Sequence, residues 1–282
     1  MIRPLLFGLF SFLLFSSFLV AQSPSYAWLD EYDESQAVLY HIPPPAGFER
    51  MEISANSFAD WLRHLPLKAG RPDVYLYNGE KKGNQFAHHA VINMDVGKRD
   101  LQQCADAVMR LRAEYLLACG KTADIHFNFT SGDEASYDKY RAGYRANIQG
   151  SKVSWVRSAN SSDSYRTFRS YMNLVFSYAG THSLSKELIQ VPDPTDLRAG
   201  DVFIQGGFPG HAIIVIDVVA HPETGSKRFL LAQSYMPAQE MHILRNPSDP
   251  GSSPWYEIPT GTFSTPEWNF DASNLMRFPG QN

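Results

Sequence analysis

His211 is the residue of this 282-residue chain best placed for chemistry, because it stands where a glycine-rich turn meets a long apolar run. The turn reads GGFPG over residues 206–210, and the run HAIIVIDVV extends from His211 to Val219. An imidazole is the side chain that most readily exchanges protons near neutral pH. A single histidine beside glycine can equally serve to hydrogen-bond a loop, so the segments around it decide the interpretation.

Three predicted strands surround this histidine. They cover Asp201–Gln205, His211–Val219 and Arg228–Tyr235, and turn residues separate them. The second and third runs are rich in Val, Ile, Leu and Phe, which is typical of strands that are buried on both faces.

The end of the third strand is predicted to return to His211. If the second and third strands form a hairpin with Val219 beside Arg228, the last residues of the third strand lie near the start of the second. A shift of one residue in this pairing decides whether Gln233 or Ser234 shares a face with His211. The sequence leaves both alternatives open.

The pattern of these strands resembles a known enzyme core. Gly200-Asp201, Gly210-His211-Ala212 and the run LLAQSY at residues 230–235 are similar to the β core of the papain-like NlpC/P60 and CHAP amidases. The resemblance implies that His211 is the base and that Gln233 or Ser234 orients its ring. Within it, we assign Asp201, Ser234 and Tyr235 as candidate binding residues.

The nucleophile is harder to place. In the NlpC/P60 family the helix before the Gly-Asp strand starts with the catalytic cysteine, which here would fall near Phe168, in a segment without a thiol (RTFRSYM). Cys104 is the first alternative, because QQCADAV predicts the first turns of a helix, where the helix dipole can lower the pKa of a thiol. The other interpretation is that Cys104 is an inert core residue.

That helix is predicted to extend from Leu101 to Cys119, with Asp100 as its N-cap and Gly120 as its stop. Apolar residues at helical spacing place Cys104 and Cys119 on one buried stripe. Along a helix the two would lie about 22 Å apart, whereas a disulfide needs Cα atoms within about 7 Å. We therefore expect two free thiols, no metal site and no cofactor.

Residues 1–21 predict a secretory signal peptide. Arg3 supplies the positive charge, residues 5–20 form the apolar stretch, and Ala21 is a small residue suited to cleavage before Gln22. No later apolar run is long enough to span a membrane. We expect an exported protein, periplasmic or extracellular, without a membrane span in the mature chain.

Four segments extend the resemblance to most of the mature chain. They resemble an uncharacterised family of exported bacterial proteins and bring no known activity with them. The segments are DLQQCADAVMRLRAEYL, FSYAGTHSLSKEL, GDVFIQGGFPGHAIIVIDV and LLAQSYMPAQEMHIL.

Together these patterns predict one globular α+β domain over residues 22–282, with a mixed, mainly antiparallel sheet flanked by helices. Its N-terminal half (46–150) would pack on an NlpC/P60-like core (160–245). The net charge of -4 and the pI near 6.1 argue against nucleic acid as a partner. The expected function is binding of cell-wall peptide or glycan in a degenerate cleft. The alternative is an active papain-like amidase or peptidase that uses His211 and an unassigned nucleophile, with Cys104 as first candidate.

Overall fold

A computed structural model describes residues 25–249, 251 and 253–281. The predicted signal peptide therefore lies outside the described residues. Six α-helices occur in this part of the chain: α1 (Val38–His41), α2 (Phe58–Arg63), α3 (Cys104–Ala118), α4 (Tyr137–Arg141), α5 (Tyr165–Tyr178) and α6 (Thr181–Glu187).

The strands are numbered in chain order. They are β1 (Glu49–Arg50), β2 (His88–Val91), β3 (His126–Asn128), β4 (Glu134–Ser136), β5 (Tyr144–Gln149), β6 (Lys152–Arg157), β7 (Ile189–Gln190), β8 (Val202–Gln205), β9 (His211–Ala220), β10 (Lys227–Gln233), β11 (His242–Leu244), β12 (Trp255–Glu257), β13 (Thr262–Ser264), β14 (Asn269–Asp271) and β15 (Leu275–Arg277).

A nine-stranded sheet forms the centre of this α+β fold. Its main path runs β2-β11-β10-β9-β8-β15-β7, with β1 added on β9 and β12 added on β10. Every one of its ladders is antiparallel, which confirms the predicted sheet type. The three predicted strands around His211 are β8, β9 and β10, and they lie side by side in the middle of the sheet.

The two faces of the central sheet belong to two separate apolar cores. Ala212, Ile214 and Ile216 of β9 pack into the larger core, which also holds the buried residues of α3 and α5. Ile213 and Val215 face the smaller core, which the C-terminal strands close. Because β9 is covered on both sides, its nearly continuous apolar sequence follows directly from its position.

A shift in the β9–β10 pairing settles the alternative that the sequence left open. Val219 pairs with Arg228 as predicted, but the register shifts between Leu230 and Leu231, so that Ala232 pairs with Ile214. Such an irregularity changes which side chains share a face. It places Gln233, and not Ser234, on the face of His211.

Helix α3 begins at Cys104, three residues after the predicted start at Leu101. Gln103 is its N-cap, and the Asp106 carboxylate accepts a hydrogen bond from the Gln103 N–H at 3.1 Å. Both cysteines are free as expected, but the prediction that both are buried is wrong: Cys104 is half-buried and Cys119 is exposed. Cys119 lies beyond the last helical residue, where the apolar stripe no longer faces the core.

Residues 137–162, between α3 and α5, show no clear helix or strand pattern in the sequence. They contain α4 and the β5–β6 hairpin, in which Tyr144 pairs with Arg157 and Gln149 with Lys152. Helix α5 follows Ser164, whose side chain is its N-cap. Among the described residues, no helix combines the length and the apolar character needed to cross a membrane.

Candidate functional site

A cavity of about 400 Å³ opens at the end of the sheet where β9 begins. Its walls come from the first turn of α3, the start of α6, the glycine-rich loop before β9 and the segment after β10. The side chains that bear on its chemistry are Asp100, Gln103, Cys104, Asp106, Thr181, Phe208, His211, Tyr235, Met236 and Trp268. We call this cavity the cleft.

His211 is the first residue of β9 and is almost fully buried. Its ring packs against Tyr235, with centroids 4.8 Å apart, and against Trp268, with centroids 5.2 Å apart. Burial among these rings disfavours the charged imidazolium and lowers the pKa of His211 to about 4, although its hydrogen bond to Gln233 opposes this shift. The imidazole is therefore neutral at physiological pH.

Gln233 holds the His211 ring through a chain of polar contacts. Gln233 Oε1 lies 2.9 Å from His211 Nε2, and Gln233 Nε2 donates to Glu267 Oε2 at 2.7 Å. The Glu267 carboxylate is in turn paired with the buried Lys82 at 2.5 Å, which keeps it an acceptor. The amide oxygen must then face the histidine.

The hydrogen bonds that link Lys82, Glu267 and Gln233 fix the tautomer of His211. Since Gln233 Oε1 can only accept, His211 carries its proton on Nε2 and leaves the lone pair on Nδ1. His242 fits the same arrangement. Its Nδ1 lies 2.9 Å from Glu240 O, and burial lowers its pKa to about 3, so its Nε2 can accept from Gln233. In the described part of the chain, His211 Nδ1 has no hydrogen-bond partner and is available as a base.

Cys104 lies in the same cleft at the first position of α3. Burial raises the pKa of its thiol to about 11, while the nearby backbone amide of Ala212, the neighbour of His211, acts in the opposite direction and lowers it. The amides of Cys104 and Ala105 act in the same direction. The first turn of a helix leaves such N–H groups without intrahelical partners, so they can face a developing negative charge.

The segment before Cys104 is tied to the end of β10. Ser234 Oγ lies 3.0 Å from Gln102 O and 2.8 Å from Gln239 O, on the face of the sheet away from His211. Asp100 accepts hydrogen bonds from the Ala238 N–H at 2.7 Å and from Gln103 Nε2 at 3.0 Å. Ser234 therefore holds the start of α3 in place instead of contacting the imidazole.

The glycine-rich loop needs its small residues because α6 packs directly on it. A Cβ atom at Gly206 would lie 2.2 Å from Ser185 Oγ, and one at Gly210 would lie 2.3 Å from Thr181 Oγ1. Both distances are far below normal contact. Thr181 Oγ1 also donates to the Gly207 carbonyl at 3.2 Å. The loop is thereby fixed where the chain enters β9 and presents His211.

The structure places Asp201 away from this cleft. Gln205 of β8 pairs with His211, so Asp201 lies at the opposite end of the strand, about 13 Å away at the usual rise per residue. Its buried carboxylate forms an ion pair with Arg277 at 2.7 Å. Of the candidate binding residues, Asp201 therefore forms a buried ion pair away from the cleft, whereas Tyr235 lines the cleft.

Several residues of the site carry no signal in the sequence that marks them as functional. Lys82 and Glu267 come from distant loops, and only the folded chain brings them to Gln233. Phe208 and Met236 line the cleft and are 86% and 66% exposed, which is unusual for such apolar side chains. The position of Phe208 inside GGFPG was the one signal in the sequence for these residues, because loops between buried strands carry functional residues.

Among the described residues, no cluster of three His, Cys, Asp or Glu side chains has the geometry of a metal site.

Comparison with known proteins gives a family and no individual relative. No curated protein and no solved structure matches the chain. The sequence model of one family, described as "Domain of unknown function (4846)", matches residues 38–277, which is most of the chain and includes the cleft. The chain belongs to this family.

Proposed function

We propose that this protein is a cysteine-dependent hydrolase of amide bonds, with Cys104 as nucleophile, His211 as base and Gln233 as the residue that positions the base. The observation that carries the proposal is that Cys104 and His211 line one cleft. Cys104 stands at a helix N-terminus, and the backbone amide of Ala212, next to His211, lowers the pKa of its thiol. Nucleophile, base and orienting residue are the parts that this class of catalysis requires.

The resting site holds a neutral pair. Burial raises the pKa of the Cys104 thiol and lowers that of the His211 imidazole, and both shifts disfavour charge. The thiol proton therefore stays on sulfur until a substrate carbonyl is in place. His211 Nδ1 then removes it as the sulfur attacks, which is general-base catalysis of the addition step.

The reaction proceeds in two halves. Sulfur adds to the carbonyl carbon, and the oxyanion is stabilised by the free amides of the first turn of α3. The His211 imidazolium gives its proton to the leaving nitrogen, the C–N bond breaks, and a thioester with Cys104 forms. A water molecule, deprotonated by His211, then adds to the thioester, the carboxylic acid leaves, and the thiol regains its proton.

The walls of the cleft favour a peptide-like substrate. Phe208, Met236 and Trp268 offer apolar surface, while Asp100 and Gln103 offer polar groups near the thiol. The predicted signal peptide and the likeness of β8–β10 to NlpC/P60 amidases favour an envelope protein that acts on cell-wall peptide. Export to the periplasm or the medium is part of this proposal.

A second function is favoured by the high pKa of the thiol. A pKa of about 11 leaves little thiolate at neutral pH, as expected if the cleft only binds cell-wall peptide or glycan and no longer cleaves it. In that case the exposed side chains of Phe208 and Met236 would provide the binding surface.

Digestion of purified peptidoglycan separates the two functions. We expect the wild-type protein to release peptides with new amino and carboxyl ends, Cys104→Ala to release none, and Cys119→Ala, the matched control, to match wild type. Retained binding of peptidoglycan by Cys104→Ala would show that the cleft is intact. If wild type and Cys104→Ala bind equally and neither cleaves, the hydrolase proposal is wrong and the binding function stands.

A further inference from the structure

A second cavity, of about 550 Å³, lies at the other end of the same helices. Helix α3 contributes Arg112 and Tyr115 to it, and α6 contributes its last residue, Glu187. It shares no lining residue with the cleft, and Arg112 lies about 12 Å along α3 from Cys104 at the usual helical rise. We call it the Arg112 pocket.

The Arg112 guanidinium is surrounded by aromatic rings. Its central carbon lies 5.2 Å from the ring centre of Phe58, 5.6 Å from that of Tyr115 and 5.4 Å from that of Phe278. Rings attract a cation through their faces, but they accept none of its in-plane hydrogen bonds. The five N–H groups of the guanidinium therefore still need acceptors.

The N–H groups of Arg112 have no hydrogen-bond acceptor among the described residues. Every other buried or half-buried arginine in this part of the chain donates to a carbonyl or carboxylate, Arg63 and Arg110 among them. Arg112 is half-buried and has neither a hydrogen bond nor an ion pair there. Desolvation accordingly lowers the pKa of Arg112, which means that its positive charge is under-compensated.

We propose that the Arg112 pocket binds a small carboxylate carried on an apolar body. A planar carboxylate matches the fork of a guanidinium in two parallel hydrogen bonds, and the surrounding rings receive the apolar part. Lys121 also lines the pocket and adds a second positive charge. The volume lies in the range of small-molecule sites.

The acidic residues of the pocket restrict the charge of the ligand. Asp124 and Glu187 also line it, and Glu187 has no ion-pair partner among the described residues. Burial raises the pKa of Glu187 to about 7. These carboxyl groups repel a dianion more strongly than a monoanion, so a carboxylate is favoured over phosphate. The site is independent of the proposed hydrolysis at Cys104.

The first test uses the wild-type protein and a matched pair of probes. In NMR titrations at millimolar concentrations we expect 3-phenylpropionate to bind with shifts at Arg112, and neutral 3-phenylpropionamide to bind about tenfold more weakly or not at all. N-acetyl-L-phenylalanine tests a peptide C-terminus as the source of the carboxylate: tighter binding than 3-phenylpropionate points to a peptide end, weaker binding to a free acid. Both outcomes support the carboxylate site.

The second test changes the protein. Arg112→Gln should weaken binding of 3-phenylpropionate about tenfold, while Arg166→Gln, an exposed arginine on α5, should leave it unchanged. Circular dichroism would verify the fold of both variants. The proposal is overturned if wild type binds neither probe, if acid and amide bind equally, if Arg112→Gln binds like wild type, or if inorganic phosphate displaces 3-phenylpropionate more readily than other carboxylates do.

Discussion

Strand β9 carries two buried polar groups that are treated in opposite ways. Near its end, Asp217 is fully buried and its two carboxylate oxygens each meet an arginine, Arg50 at 2.8 Å and Arg63 at 2.8 Å. At its start, His211 has the neutral amide of Gln233 as its only hydrogen-bond partner among the described residues, and it lines the cleft. The two arginines compensate the negative charge of Asp217, whereas the imidazole of His211 stays uncharged.

The difference is the one expected between a structural site and the reactive site that we propose. A buried charge with its partners in place holds elements together, here β1, α2 and β9, and has no free capacity for chemistry. A buried neutral base that is held by one orienting group and lines a cavity keeps a free lone pair for the proton of a group bound beside it. Substitutions at the two sites should accordingly change different quantities.

The largest effect is expected for His211→Ala. Loss of the base should lower peptide release from peptidoglycan by roughly 10²- to 10⁴-fold, because the thiol proton then has no acceptor. The variant should stay folded, and its unfolding midpoint should remain close to that of the wild-type protein. A variant that keeps wild-type turnover would show that His211 is not the base.

Arg63→Met should act on stability instead. It leaves one oxygen of the buried Asp217 carboxylate without its charged partner, which costs about 3–5 kcal/mol of unfolding free energy. Arg166→Met, at an exposed arginine, should change it by less than about 0.5 kcal/mol. Urea denaturation measures both. Turnover per folded molecule should be unchanged in Arg63→Met, and a specific loss of turnover would remove the contrast between the two sites.

Glu267→Gln tests the series of hydrogen bonds that fixes the tautomer of His211. A glutamine side chain has one acceptor where Lys82 and Gln233 need two, so the Gln233 amide loses its fixed orientation. We expect turnover to fall about 10- to 100-fold, as displaced catalytic groups usually cause. Nitrogen NMR of the His211 ring should show a mixture of tautomers where wild type shows the Nε2–H form alone. A pure Nε2–H tautomer in the variant would argue against this role of Glu267.

The stability of the protein should also depend on the protonation of His211. Its pKa falls from an ordinary 6.5 to about 4 on folding, so between these values the unfolded chain binds more protons than the folded one. Its contribution to stability is complete above pH 6.5 and is lost as the pH falls towards 4. The slope is up to about 1.4 kcal/mol per pH unit. His211→Asn should reduce the measured slope in this window, and an unchanged slope would mean that the imidazole is not desolvated.

The middle of the sheet could be predicted from the sequence because each of its signals is local. Apolar runs and turns give β8, β9 and β10. The β10 irregularity that selects Gln233 over Ser234 has no such signal, since it depends on packing across β9.

The predicted start of α3, at Leu101, was wrong for a similar reason. Asp100 is a good capping residue by type, but its carboxylate is used by Ala238 and Gln103, and the helix begins only at Cys104. This displacement moves Cys104 from the fourth position of the predicted helix to the first position of the observed one. The site thus depends on contacts between segments far apart in the chain, which no local pattern records.

The most direct test of the central claim measures whether Cys104 and His211 act as one unit. In a Cys119→Ala background, the rate of Cys104 alkylation by iodoacetamide is followed against pH in the presence and absence of His211→Ala. We predict that wild type shows a His211-dependent reaction at neutral pH in addition to the rise towards the thiol pKa of about 11, and that His211→Ala lowers the neutral rate about tenfold or more. Equal rates at neutral pH in the two proteins would contradict the proposed pair.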